Sequence, residues 1–116
     1  MENEKLYQMP FAKIYPLLKS KAVKKGRMPE EVDKIICWLT GYSGEGIAAC
    51  LQNGTSYGGF FENAPCMNPK RELIKGSICG MRIEEIGEPL MRDIRRLDKL
   101  IDELARGKPM EKILRG

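Results

Sequence analysis

The sequence predicts an all-α protein, a small orthogonal bundle of five or six helices with an irregular loop before a long fifth helix. Three observations carry this. Apolar residues recur at spacings of three and four in one segment after another, the period of a helix with one buried face. Prolines and glycines punctuate those segments where helices start and stop. The one stretch that could be extended, Ile78 to Ile83, has no convincing partner strand elsewhere in the chain.

The elements follow in order. Between Met9 and Lys25, Phe11, Ile14, Tyr15, Leu18 and Ala22 form one apolar stripe. Pro16 lacks the amide that an inner turn needs, so a short turn is expected first, with the main helix starting around Pro16 and ending at Gly26. Pro29 then opens a second helix, and Glu30 and Glu31 sit at its partially positive end. Its buried face is Val32, Ile35, Ile36 and Leu39, with Trp38 on the flank and Gly41 as the stop. Ser43 can cap a third helix reaching about Asn53, with Ile47, Cys50 and Leu51 inward and Gly54 closing it. A short fourth helix starts at Thr55 or Ser56 and carries Phe60 and Phe61.

Asn68-Pro69 is a further helix start and Gly76 a stop, after which residues 78–83 read as extended or as a tight loop. The fifth helix runs from Glu88-Pro89 to Arg106. Leu90, Ile94, Leu97, Ile101 and Leu104 are spaced four, three, four and three, a narrow seam of the kind that packs helix against helix. Lys99 with Glu103 and Asp102 with Arg106 read as ion pairs on its outer face. A last helix begins at Pro109 and buries Met110, Ile113 and Leu114. No linker or repeat divides the chain, so residues 1–116 are read as one domain.

Composition narrows the chemistry. Histidine is absent, which removes imidazole bases, imidazole metal ligands and the common catalytic triads. No run approaches the roughly 20 apolar residues of a membrane span, and Met1 to Lys5 is polar rather than a basic lead into an apolar core, so a cytoplasmic protein with no membrane partner is expected. The net charge of +4 is too small to imply a nucleic-acid footprint. The segment from Thr40 to Pro69 holds no lysine or arginine, which argues against a recognition helix after the Gly41-Tyr42 turn. Two basic clusters, Lys19-Lys21-Lys24-Lys25-Arg27 and Arg92-Arg95-Arg96-Lys99, interleave with apolar stripes and read as solvated faces.

Cys37, Cys50, Cys66 and Cys79 are 13, 16 and 13 residues apart, not in the chelating pairs a zinc site uses. They are expected to be reduced thiols, Cys37 and Cys50 as small core residues; no metal and no cofactor is expected. Cys79 stands apart, in a glycine-flanked segment with a cation on either side. It is the candidate nucleophile, although no histidine can serve it as a base. In the same segment Lys75, Gly76, Gly80 and Arg82 are candidate anion ligands, the glycines freeing backbone amides and the two cations meeting the charge. Tyr42, Tyr57, Phe60 and Phe61, set among glycines, either line a small-molecule pocket or act as core pegs; the core reading is favoured.

Several ordered motifs resemble one family. These are Ile36-Cys37-Trp38-Leu39-Thr40-Gly41-Tyr42, Phe60-Phe61 with Ala64-Pro65 and Asn68-Pro69, Leu73-Ile74-Lys75-Gly76 with Ile78-Cys79-Gly80, and the tail from Leu97-Asp98-Lys99-Leu100 through Met110-Glu111-Lys112-Ile113-Leu114. On them the chain is similar to the bacterial domain of unknown function 2200. The resemblance implies a predominantly helical fold and carries over no activity. Gly44, Gly46, Gly58 and Gly59 depart from that pattern, which predicts less regular third and fourth helices. The function expected is a non-catalytic module for a protein or small ligand, with part of the long-helix seam open to a second copy. The alternatives are a thiol-dependent or anion-binding enzyme using the Lys75–Arg82 loop, and a weak nucleic-acid binder.

Overall fold

The computed structural model describes residues 2–115. Among them are seven α-helices: α1 (Glu2–Gln8), α2 (Phe11–Val23), α3 (Pro29–Thr40), α4 (Gly44–Gln52), α5 (Tyr57–Glu62), α6 (Pro89–Ala105) and α7 (Met110–Ile113). One antiparallel hairpin, β1 (Ser77–Ile78) and β2 (Met81–Arg82), lies between 3-10 turns at Pro69–Leu73 and Ile83–Glu85.

Helix ends follow the local signals. Gly26 and Gly41 take the left-handed φ of +84° and +81° just past α2 and α3. Gly41 is also where the chain passes closest to the 66 region, since a Cβ there would stand 2.8 Å from the Cys66 backbone nitrogen. Ser43 accepts the Gly46 amide and Ser56 the Gly59 amide, capping α4 and α5. Both helices are regular despite their glycines. At Gly58 the reason is steric: a Cβ would come within 2.9 Å of Tyr7 Cβ, so the missing side chain lets α1 lie against α5.

Two features depart from expectation near the N-terminus. The sequence reading placed no helix before Met9, yet Glu2–Gln8 is helical. A seven-residue helix has little stability of its own. This one is held by tertiary contacts, including the bond from Tyr7 Oη to Glu88 Oε1 at 2.7 Å. The break expected at Pro16 falls instead at Pro10. There Phe11 N donates to Thr55 O and Tyr57 N to Met9 O, so extended Pro10 bridges antiparallel to Ser56 at the start of α5. Pro16 remains inside α2 on its exposed face, beside exposed Ala12, whose carbonyl loses its helical donor but can be hydrated.

Helix α6 is the centre of the protein, packed by α2, α3, α5, α7 and the first strand of the hairpin. Its buried face is wider than the predicted seam. Ile94, Leu97, Ile101 and Leu104 are buried as expected, Leu90 is only half-buried, and Met91 and Leu100 join them. A helix enclosed on several sides needs apolar groups over more of its circumference than a two-helix seam does. Among the described residues the seam is thus filled by this chain's own helices.

A half-buried ion pair fastens the turn between α2 and α3. Arg27 donates through Nε and Nη2 to both Glu31 oxygens, at 3.1 and 2.8 Å, and through Nη1 to the carbonyls of Leu104 and Lys108. The Arg27 bonds, with the Met28 amide behind them, hold the Glu31 carboxyl at about 2 against an ordinary 4.5. A depressed carboxyl contributes stability above its unfolded pKa and loses it as pH falls toward the folded one. The contribution is therefore complete above pH 4.5 and disappears toward pH 2. Urea midpoints at about pH 6 and about pH 3 should fall further for the native protein than for Glu31→Gln, which has no such proton to take up. Equal falls would contradict the assignment.

Candidate functional site

The arginines of α6 determine what the irregular segment can do. Arg92 donates to Ile86 O, Arg71 and Arg96 meet at Asp93 with distances of 3.0 and 2.8 Å, and Lys99 Nζ donates to Ser77 O at 3.0 Å. Arg95 Nη1 reaches Asp98 at 3.0 Å and lies 3.8 Å from Cys79 Sγ. The Arg92–Lys99 cluster is therefore not a solvated face: Arg96 is only 5% exposed. Backbone carbonyls outside regular elements need donors, and these long cations supply them from the neighbouring helix. In the other cluster, Lys19 pairs with Asp33 and Lys21 with Asp102, while Lys24 and Lys25 are exposed.

The hairpin disperses the residues that proximity in sequence had grouped. Cys79 and Gly80 form its turn, both with left-handed φ, +52° and +76°, as a tight two-residue hairpin turn requires. They line a cleft of about 800 Å³ against the C-terminal half of α6. Arg82 faces a second cleft of about 510 Å³ with Glu85, Glu88 and Met91. Lys75 lies in a third, of about 160 Å³, with Glu72, Glu84, Arg92 and Arg96. The proposed anion cradle is not assembled. The Gly76 amide that would serve it already donates to Glu84 Oε1 at 2.9 Å, and Arg82 pairs with the same carboxylate.

Aromatic residues lie elsewhere. Phe60 stacks on Phe11 with ring centres 3.9 Å apart and on Tyr42 at 4.4 Å, while Tyr57 and Phe61 meet edge to face. All four predicted rings are buried, and none lines any of the three clefts. They are core pegs. The Tyr42 hydroxyl donates to Phe60 O, and burial pushes its phenol up to about 12. The four cysteines are unpaired thiols, Cys66 and Cys79 exposed and Cys50 buried. Burial pushes the Cys37 thiol up, with help from nearby Asp33. Among the described residues no three Cys, Asp or Glu side chains converge as metal ligands.

The cleft of about 800 Å³ is built mainly from residues that lie outside the sequence's candidate groups. Besides Cys79 and Gly80 its walls carry Lys21 from α2, Lys99, Asp102 and Glu103 from α6, and Arg106 and Lys108 beyond it. Asp102 is met by two cations, Arg106 at 2.8 Å and Lys21 at 3.6 Å. Glu103, expected on an outer face, is buried and likewise has two, Arg115 at 2.6 Å and Lys108 at 3.4 Å. Lys99 is not paired to it and holds the Ser77 carbonyl instead. Arg115 lies outside the cleft, so its walls carry four cations, Lys21, Lys99, Arg106 and Lys108, against two carboxylates, a surplus of two positive charges. At the C-terminal end of α6 the carbonyls of Asp102, Glu103 and Leu104 accept from Arg106 N, Lys108 N and Gly107 N, and Leu104 O also accepts from Arg27. One signal could have found part of the site: Lys99, Asp102, Glu103 and Arg106 share a helix face at offsets of three, four and seven.

Residues 5–115 match the family described as "Uncharacterized protein conserved in bacteria", domain of unknown function 2200. The chain belongs to this family. Among solved structures it is similar to the crystal structure of uncharacterized protein SP1917, with 50% identity over 96% of this chain and 91% of that one, and a TM-score of 0.91. A search of curated proteins finds no match. Family membership and the likeness to SP1917 agree with the helical fold and assign no activity. No helix among the described residues is long and apolar enough to cross a membrane.

Proposed function

We propose that this family member is a non-catalytic binding module that takes a small anionic ligand in the cleft between the hairpin and the C-terminal half of α6. The observation that supports this is the imbalance of charge: Lys21, Lys99, Arg106 and Lys108 against Asp102 and Glu103 in one concave wall of about 800 Å³. A concave site concentrates such a field and lowers the cost of burying an anion. A binding role fits better than a catalytic one because both carboxylates are already tied to two cations each, and against the opposing effect of burial Arg115 and Lys108 hold the Glu103 carboxyl below its ordinary range. The Cys79 thiol at the rim has Arg95 beside it and no histidine in the chain to activate it.

Calorimetric titration with inorganic pyrophosphate at low ionic strength tests the reading. Saturable binding is expected, weakening as salt is added. Arg106→Ala removes a side chain that is 79% exposed, so it should spare the fold while weakening binding several-fold. Absence of both binding heat and thermal stabilisation at millimolar pyrophosphate would overturn the proposal.

A further inference from the structure

We infer that the ligand of this cleft is an elongated dianion, with two anionic groups roughly 10 Å apart and hydrogen-bond donors between them, an inference that rests on the anion-binding reading above. It comes from the order of charges along one helix wall. Lys99 and Arg106 both line the cleft and lie seven residues apart, near two full turns, so their backbone positions stand on the same side about 10 Å apart along the axis, with Lys99 Nζ at Ser77 O and Arg106 Nε at Asp102. Lys108, which also lines the cleft, pairs with Glu103. Asp102 and Glu103 lie about one turn from either cation, and Lys21 offsets one of these two central charges.

The wall therefore reads cation, carboxylates, cation. A compact anion can engage only one end of it. A ligand with a charge at each end engages both, and a middle bearing hydroxyl or amine hydrogens meets Asp102 and Glu103 as acceptors rather than being repelled by them. No aromatic side chain lines the cleft, so a flat ring would find no stacking partner there. The chemistry indicated is that of a bis-phosphorylated or bis-carboxylated polyol or amine.

Length is the variable that separates this inference from simple anion binding. Titration with methane-, butane- and heptane-bisphosphonate, beside butylphosphonate as the single-ended control, should give affinity rising with separation. The longest is expected to bind about tenfold more tightly than the control, because the second end binds at high effective concentration. Arg106→Ala, with its fold checked by circular dichroism, should bring the longest probe down to the level of the control. Lys99→Ala should do the same from the other end. If butylphosphonate binds and length makes no difference, the two-ended ligand is wrong and the anion cleft stands. If no phosphonate binds, both fall.

Discussion

Phe60→Ala is expected to cost about 4 kcal/mol of stability, enough to leave much of a marginally stable protein unfolded. Phe60 is fully buried, stacked between Phe11 and Tyr42, and touches Phe61 edge-on. Its ring therefore joins α2 to α5 and to the chain between α3 and α4. Truncation removes the transfer energy of the ring and leaves a cavity whose walls come from different elements and cannot close over it together. Urea unfolding followed by far-ultraviolet circular dichroism measures the loss. Phe60→Leu, which keeps most of the volume, should cost markedly less. A loss below about 1 kcal/mol for the alanine variant would mean that the aromatic stack is not the keystone its geometry suggests.

Asp93→Ala is expected to cost about 3 kcal/mol for a different reason. Asp93 accepts from Arg96 at 2.8 Å and from Arg71 at 3.0 Å, and Arg96 is almost wholly buried. Without Asp93 the Arg96 guanidinium keeps only Glu72, a largely exposed partner at 3.3 Å. An uncompensated buried charge costs more than the pair was worth, so adding Arg96→Met to Asp93→Ala should recover part of the loss. The effect should also be local. Arg71 anchors the 3-10 turn at Pro69–Leu73, so amide hydrogen exchange should rise there more than in α3. Uniform exchange across the chain would show that Asp93 supports the whole fold and not this segment.

The two variants mark the line between what was legible in the residues and what was not. The sequence predicts Phe60 on a short helix starting at Thr55 or Ser56, and it lies on α5, capped by Ser56, with all four rings buried. The evidence was local: a serine able to cap, a proline downstream, and rings at helical positions. Arg96 was misread as part of a solvated face, because a cation beside an apolar stripe usually is one. Nothing in residues 92–99 reveals that the carbonyls of Ser77 and Ile86 lie overhead. The same limit explains the candidate site. Lys75, Cys79 and Arg82 are near in sequence, so they were grouped, and a two-residue hairpin turn then sends them to three different clefts. Lys21 is far in sequence from Lys99 and Lys108, and the packing of α2 on α6 brings it to their wall.

Short-range physics accounts for the part that needed only the chain. Caps, left-handed glycines, prolines at first turns and the 3.6-residue period act within about four residues of one another. They suffice for the boundaries of α3 through α6, the end of α2 and the helical class. The absence of histidine likewise removes imidazole bases and ligands from these 116 residues. Tertiary packing decided the rest: that Glu2–Gln8 is a helix, that residues 77–82 pair with themselves, that α6 is enclosed instead of offering a seam, and that a cationic cleft exists. Each of these depends on groups brought together from distant positions in the chain, where burial and long side chains, not local backbone preference, determine the energy.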